Sequence, residues 1–230
     1  MKLIGLTGGI ASGKSLVTGE LRRLQAQVLD ADEIYHQLLE SSEELSESLR
    51  AAFGAEYFGA DGRLDRKALG QLVFRDKEAL AKLNRITHPA VIDAMWDRVD
   101  ACMIEGLGEG MVFLSVPLLF EARLDEMVDE TVVVYAPPDV QVTRLAARDK
   151  IPPEAAQARL DAQWPIERKR DRAGFVIDNS GSIEAALAQV KALLERLRNG
   201  ERGQVPAPET APPAVGPEPA GRKRKSAREY

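Results

Sequence analysis

The segment Gly8–Ser15, GGIASGKS, decides the fold because it matches the phosphate-binding pattern G-x-x-x-x-G-K-[ST] at every fixed position. It follows the apolar run KLIGLT and precedes a helical pattern that extends from Lys14 to about Leu24. Glycines allow the backbone to wrap around a phosphate with its N–H groups inward, and the following helix points the positive end of its dipole at the anion. We therefore predict a P-loop here, and not a glycine-rich turn that merely links a strand to a helix.

Two side chains of this segment are expected to carry the chemistry. Lys14 is placed to span the β and γ phosphates of a nucleoside triphosphate. Ser15 is the expected ligand of Mg²⁺ through its hydroxyl, because Mg²⁺ is held by few protein oxygens together with waters and phosphates. The sequence thus predicts Mg²⁺ as the cofactor.

Companion residues narrow the class of P-loop protein. The chain has no Asn-Lys-x-Asp motif for guanine and no LSGGQ-like stretch, and MVFLSVPLLFE lacks the strand-terminal aspartate of a typical ATPase. Instead, Asp30 ends the run QVLD and Asp32 follows it, and the carboxyl ends of parallel strands face one crevice. We expect Asp32 to orient an acceptor hydroxyl, accept its proton or hold the metal through water, although it is also a candidate N-cap for the next helix. Asp30 remains open between the same two roles.

Short apolar runs predict the fold class. KLIGLT, QVLD, MVFLSV, TVVVYA and FVID do not alternate with polar residues, as is typical of strands buried on both faces, and helical patterns separate them. We predict an α/β, three-layer P-loop fold with a mainly parallel, five-stranded sheet. Residues from about 33 to 110 are nearly all helical in pattern, which predicts an inserted helical subdomain. One of its helices is expected to begin at Pro89, since proline suits the first helical position.

Composition excludes several other classes. The 230 residues are 44% hydrophobic and carry a net charge of −5, which does not indicate a nucleic-acid or membrane surface. No apolar run approaches the roughly 20 residues of a membrane-spanning helix, so a cytoplasmic location is expected. The single cysteine, Cys102, excludes an internal disulfide.

A tail is predicted at residues 201–230. This segment is rich in Pro, Ala, Gly and Glu and almost lacks large apolar side chains, so we expect it to be disordered. Its RKRK run at 222–225 is either a contact for an acidic partner or simply a solvated cluster.

Seven segments in order resemble one family. They are IGLTGGIASGKS, VLDAD, GRLDRKALGQLVF, the His88-Pro89 pair, VPLLFEA at 116–122, VQVTRLAARD at 140–149 and FVIDNSGS at 175–182. Together they span nearly all of residues 1–200 and resemble the dephospho-CoA kinase family. The resemblance implies a P-loop kinase of the nucleoside-monophosphate-kinase type, with a helical acceptor-binding subdomain and a lid at about 140–165. The implied reaction moves the γ-phosphoryl group of ATP to the ribose 3′-hydroxyl of dephospho-CoA.

The resemblance also implies site residues. The ATP-binding set is Gly8, Gly9, Ala11, Ser12, Gly13, Lys14, Ser15, Leu16 and Asn179. The catalytic set is Lys14, Asp32, Arg144 and Arg148, and the acceptor-binding set is Thr7, Asp32, Arg66 and His88. The two arginines on the lid helix are alternatively a solvated face, Asn179 a turn residue, and His88 a packed or capping residue. Asp65 is predicted to cap a helix.

Two positions depart from the family pattern. Ala11 stands where the family usually has glycine, and Leu16 where it usually has threonine. A methyl group at Ala11 should be tolerated if its φ is negative. Leu16 leaves the Ser15 hydroxyl in place.

Two other functions remain as alternatives. Another small-molecule kinase, similar to shikimate kinase, would share the P-loop but would be shorter, with a glycine-rich acceptor loop. A non-catalytic protein that binds ATP to signal to a partner would need no acceptor carboxylate. The pairing of Lys14 with Asp32 favours the enzyme.

Overall fold

A five-stranded parallel sheet forms the centre of the structure, which confirms the predicted fold class. Residues 1–204, apart from the side chains at 74 and 109, are described by a computed structural model. The strands are β1 (Lys2–Gly8), β2 (Gln27–Asp30), β3 (Met111–Ser115), β4 (Glu130–Tyr135) and β5 (Phe175–Asp178). They lie in the order β2-β3-β1-β4-β5, and every neighbouring pair is parallel.

Helices cover both faces of the sheet. They are α1 (Lys14–Arg23), α2 (Ala31–Ser41), α3 (Glu43–Phe53), α4 (Arg66–Arg75), α5 (Lys77–Ile104), α6 (Pro138–Asp149), α7 (Pro153–Leu160), α8 (Ile166–Asp171) and α9 (Ile183–Arg198). Short 3₁₀ helices span Ala55–Tyr57, Gly108–Gly110 and Leu124–Met127.

Two cores lie on opposite faces of the sheet because successive side chains of a strand alternate. Ile4 of β1 packs in one core with Val17 of α1 and Leu194 of α9. Its neighbour Leu3 packs in the other core with Met95 of α5. Each core consists of side chains that are almost completely buried, so the sheet is held from both sides.

Helices α2 to α5 fill the chain between β2 and β3 and share a third core. Leu45 and Leu49 of α3 pack there with Leu69 of α4 and Leu83 of α5. This cluster gives the helical segment its own apolar interior beside the carboxyl edge of the sheet.

The predicted start of a helix at Pro89 is wrong. Helix α5 is continuous over 28 residues, and Pro89 lies inside it. A proline in that position lacks the N–H that would donate to the preceding turn, and its ring crowds the carbonyl there. Packing outweighs this penalty because α5 is anchored on both sides of the proline, by Leu83 in the helical cluster and by Met95 against the sheet.

Part of the predicted tail contacts the sheet. The Gln204 N–H donates to the Gly174 carbonyl at 3.0 Å, and the Gly203 N–H donates to the Glu130 carboxylate at 3.0 Å. The remaining tail, with the RKRK run and its predicted disorder, lies outside the described residues. None of the helices in the described part of the chain combines the length and the apolar composition needed to cross a membrane.

Pro89→Ala should raise the free energy of unfolding by about 1 kcal/mol. An interior proline costs a helix up to about 3 kcal/mol, and the more flexible unfolded chain of the variant cancels part of the gain. Urea unfolding of the variant and wild type measures the difference. Asp93→Ala, an exposed change one turn later in α5, should alter stability by no more than about 0.5 kcal/mol. Equal or lower stability of Pro89→Ala would show that α5 accommodates the proline without strain.

Candidate active site

The P-loop leaves the sheet at its centre, where β1 lies between β3 and β4. Gly13 precedes α1 with a φ of 100°, and among the described residues no side chain caps the first N–H groups of that helix. These donors and the helix dipole are therefore available to an anion. A side chain on Gly13 would place its Cβ 2.0 Å from Asn179 Nδ2, so the close approach also requires glycine.

Ala11 has a backbone conformation that its side chain disfavours. Its φ is 58°, in the left-handed region, so the negative φ on which its tolerance was expected to rest is not adopted. The left-handed conformation costs an L-residue about 1–2 kcal/mol. The P-loop is therefore strained at the position where the family that this sequence resembles usually has glycine.

Lys14 is the centre of a polar cluster at the carboxyl edge of the sheet. Its Nζ lies 2.7 Å from Ser115 Oγ, 3.3 Å from Asp30 Oδ2 and 3.8 Å from Asp32 Oδ2. Ser115 in turn donates to Asp30 Oδ2 at 2.7 Å. The two aspartates thus lie close to the P-loop, as expected, and Ser115 contacts both Lys14 and Asp30.

The two aspartates differ in their surroundings. Burial raises the pKa of Asp30, but the hydrogen bond from Ser115 and the charge of Lys14 outweigh it, so this pKa lies below its ordinary value. Displacement of water by the surrounding cleft raises the pKa of Asp32, and Lys14 only partly opposes it. Asp32 remains reachable, since 63% of its side chain is exposed.

Asp30, and not Asp32, is the N-cap of α2. Its Oδ1 accepts hydrogen bonds from the Asp32 N–H at 2.9 Å and the Glu33 N–H at 3.4 Å. The capping role considered for Asp32 therefore belongs to its neighbour. The Asp32 carboxylate lies in the first turn of α2 and makes no cap bond there.

Asn179 supports the P-loop from β5. Its Nδ2 donates to the Ser12 carbonyl at 2.8 Å, and the residue is almost completely buried. Arg144 of α6 donates to the Asn179 carbonyl at 2.9 Å. Arg148, one turn later, forms an ion pair with Asp149 at 2.7 Å and is more than half exposed. The structure thus brings Arg144 beside Asn179, which supports the P-loop, whereas Arg148 pairs with Asp149 at the end of α6.

A cavity of about 370 Å³ opens beside Asp32, and we call it the Asp32 cavity. Its polar lining residues are Asp32, Tyr35, Asn84, Thr87, His88 and Gln163. The rest of its lining is apolar and comes mainly from α5 and the loop after β3. A largely apolar pocket with a few convergent polar groups is typical of a small-molecule site.

The other three predicted acceptor residues occupy different places. His88 lines the Asp32 cavity, where burial lowers the pKa of its imidazole. Thr7 is fully buried and donates to the Pro117 carbonyl at 3.0 Å, so it reaches the cavity only through Pro117. Arg66 does not line the cavity and lies 3.3 Å from His36 Nδ1 on α2.

Oxygen atoms near Lys14 fit Mg²⁺ that arrives with a nucleotide. In the part of the chain that the structure describes, no three His, Cys, Asp or Glu side chains group as a metal site. Mg²⁺ needs fewer protein ligands because it keeps waters and binds phosphates. Ser15 is exposed at the start of α1, and Asp30 and Asp32 both lie within 4 Å of Lys14.

Sequence reasoning missed Ser115 and Gln163. Ser115 ends β3 beside β1, so its position could have been found by asking which residue closes that strand, whatever its type. Gln163 accepts a hydrogen bond from the Ile10 N–H of the P-loop at 3.0 Å and also lines the Asp32 cavity. No motif marks Gln163, because its role depends on a contact between distant parts of the chain.

Comparisons with known proteins show which family the chain resembles over most of its length. A family model described as dephospho-CoA kinase matches residues 2–185. Dephospho-CoA kinase of Anaeromyxobacter dehalogenans is 43% identical over 213 residues, covering 93% of this chain and 99% of the relative. Among solved structures, dephospho-CoA kinase from Campylobacter jejuni is 31% identical with a TM-score of 0.65, covering 87% of this chain and 99% of that chain. A Thermus thermophilus protein is 39% identical with a TM-score of 0.68, covering 85% and 97%.

The similarity extends far beyond the P-loop. The matched residues 2–185 contain all five strands, Asp30 at the end of β2, Asp32 and the Asp32 cavity. A shared phosphate-binding loop alone would not produce identity at this level over almost the full length of a relative. The chain belongs to the dephospho-CoA kinase family.

Proposed function

We propose that this protein transfers the γ-phosphoryl group of ATP to the ribose 3′-hydroxyl of dephospho-CoA, giving CoA and ADP in the final step of coenzyme A biosynthesis. The main support for the proposal is the distance of 3.8 Å between the ammonium group of the P-loop residue Lys14 and the Asp32 carboxylate. This arrangement sets a cation for the moving phosphate beside a carboxylate for the accepting hydroxyl. The reaction is expected in the cytoplasm, with ATP and dephospho-CoA as the partners.

The transfer exchanges one phosphorus–oxygen bond for another. The 3′ oxygen forms a bond to the γ-phosphorus, and the bond from that phosphorus to the β,γ-bridging oxygen breaks with its electron pair remaining on ADP. The hydroxyl proton passes to Asp32, or through Asp32 to water. Because the transition state is loose, positioning and charge neutralisation contribute more than proton removal.

The P-loop residues would hold the phosphates of ATP. Their backbone N–H groups surround the anion, and Lys14 exchanges Asp30 and Ser115 for the phosphate oxygens. Bound Mg²⁺ would neutralise phosphate charge, with Ser15 as its ligand and the aspartates in reach through water. Asn179 supports this role by fixing the Ser12 carbonyl of the loop.

The segment from about 140 to 165 is proposed as a lid over ATP. Helix α6 ends at Asp149 and is followed by Lys150 in a left-handed conformation, and α7 begins at Pro153, so a sharp break separates the two helices. Closure would bring Arg144 and Arg148 onto the phosphates in exchange for Asn179 and Asp149. Arginine suits this task because its planar guanidinium binds phosphate oxygens in pairs.

The helical insertion, about residues 33–110, is proposed to receive dephospho-CoA. The Asp32 cavity would take the part of the acceptor next to the 3′-hydroxyl, with His88 in its wall. Arg66, which lies outside the cavity beside His36, would bind the pyrophosphate, because its guanidinium suits phosphate oxygens. Thr7 would act indirectly, by holding Pro117 in the cavity wall.

Lys14→Ala should lower kcat by about a thousandfold, because single groups that neutralise a transferring phosphate contribute on this order. Asp32→Asn should cost less, about a hundredfold. ADP formation from Mg-ATP, with and without dephospho-CoA, measures both effects. Glu33→Gln is the matched control, since this carboxylate lies in the same turn of α2 and pairs with Arg22 on the surface.

An acceptor panel of shikimate, adenosine and AMP separates the alternatives. Faster turnover with shikimate than with dephospho-CoA would overturn the proposed acceptor. Tight ATP binding without turnover on any acceptor would favour a nucleotide-dependent partner protein. A larger loss from Asp32→Asn than from Lys14→Ala would contradict the order of the two contributions.

The pH dependence of kcat should report the protonation of Asp32. Its pKa is raised, so it gains a proton at a higher pH than a free aspartate, whose pKa is about 3.9. A base must be deprotonated, and kcat should therefore fall as the pH drops through this raised pKa. Asp30 stays charged over the same range because its pKa is lowered. The acidic limb should vanish in Asp32→Asn, and an unchanged limb would assign it to another group.

A further inference from the structure

A buried ion pair lies outside the reacting groups described above. Lys169 of α8 is completely buried, and its Nζ is 2.8 Å from Glu121 Oε1 in the loop after β3, residues 116–123. Burial lowers the pKa of Lys169, and the Glu121 carboxylate opposes this shift. Desolvation of two charges cancels much of their attraction, so a buried pair is weak evidence of a stabilising role. The contacts of the pair are the better guide to what it does.

Each member of the pair holds a main-chain group. Lys169 Nζ donates to the Pro117 carbonyl at 3.0 Å, and Glu121 Oε1 accepts from the Trp164 N–H at 3.1 Å. The Pro117 carbonyl also accepts from Thr7 Oγ1, one residue before the end of β1. The pair therefore joins the loop after β3, the segment 163–169 and the strand that leads into the P-loop.

The joined segments form one wall of the Asp32 cavity. Pro117, Leu118 and Ala122 line it from the loop after β3, and Gln163 lines it from the end of the lid segment. Gln163 also accepts the hydrogen bond from the Ile10 N–H of the P-loop. A shift of the ion pair would thus move the cavity wall and its connection to the P-loop together.

The pair is not optimised for hydrogen bonding. Glu121 Oε2 is buried and has no hydrogen-bond partner among the described residues. An unsatisfied buried oxygen weakens the fold. The other oxygen, Oε1, which accepts from Lys169 and from the Trp164 N–H, offers a better explanation for a carboxylate at this position than stability does.

We propose that Glu121 and Lys169 are positioning residues, which keep the wall of the Asp32 cavity aligned with the P-loop so that the acceptor hydroxyl meets the γ-phosphate. This role rests on the proposed function. Neither side chain touches the reacting atoms. Their loss should therefore weaken acceptor binding and alignment while the phosphate site, held by α1 and Asn179, still binds ATP.

The test compares Glu121→Leu, which removes the oxygen that holds the Trp164 N–H, with Lys169→Met and the double variant in steady-state kinetics and thermal unfolding. Each single change leaves one buried charge without its partner and should lower Tm, whereas the double variant removes both charges and should recover most of that loss. The KM for dephospho-CoA should rise about tenfold or more in all three variants, since small misplacements of bound groups are costly. The KM for ATP should stay within about twofold of wild type.

Asp125→Asn is the matched control. Asp125 pairs with Arg172 at 3.1 Å, which also links the chain after β3 to the residue that follows α8. The Arg172 guanidinium lies 5.9 Å from the centre of the Trp164 ring, but the bonds to the Pro117 carbonyl and the Trp164 main-chain N–H come from Lys169 and Glu121 and not from Asp125. It should lower Tm without changing the KM for dephospho-CoA. A double variant with recovered Tm and unchanged KM for dephospho-CoA would overturn the positioning role.

Trp164 offers a second readout. In a Trp96→Phe background the fluorescence of Trp164 reports the segment that Glu121 holds. Dephospho-CoA at a concentration near its wild-type KM should change the signal in that background, but much less after Glu121→Leu. An equal change in both would overturn the inference. Absence of dephospho-CoA-dependent turnover by wild type would overturn the proposed function and this role with it, whereas wild-type turnover with an unaffected variant would overturn the positioning role alone.

Discussion

The ammonium group of Lys14 holds the candidate active site together because three strands end near it. β1 runs into the P-loop, β2 ends at Asp30, and β3 ends at Ser115. The register pairs Asp30 with Ser115 and Ser115 with Leu6, so β2 and β3 end level and β1 extends two residues further into the P-loop. In a parallel sheet all carboxyl ends lie at one edge, which lets a single cation meet groups from two neighbouring strands. The cap of α2, and through it the Asp32 cavity, depends on this alignment.

Local rules explain what could be predicted from the sequence. The P-loop could be predicted because its motif, the strand before it and the helix after it all lie within a short stretch of sequence. The predicted capping role of Asp65 is confirmed, since capping also depends only on neighbouring residues. The sheet is readable because buried parallel strands need continuous apolar runs. Pro89 was misplaced because the preference for a first helical position is local, whereas the continuity of α5 comes from packing at both its ends.

The two proposed substrate sites draw on different parts of the chain. The proposed phosphate site is mostly one short segment, but the Asp32 cavity combines residues from α2, α5, the loop after β3 and the segment between α7 and α8. The bonds that Lys169 and Glu121 make with Pro117 and Trp164 connect residues 52 and 43 positions apart. The sequence around a single lysine or glutamate does not show which distant residue it contacts. The proposed acceptor site can therefore be recognised only in the folded structure.

The left-handed backbone of Ala11 restricts how the P-loop can diverge between relatives. Codons for glycine, alanine and valine differ from one another at a single base, so all three are neighbours in the genetic code. The protein backbone separates them, since glycine adopts a positive φ freely, alanine does so at a cost, and a β-branched side chain almost never does. A change from glycine to alanine at this position therefore costs only about 1–2 kcal/mol, while the equally accessible change to valine is opposed much more strongly by the shape of the loop.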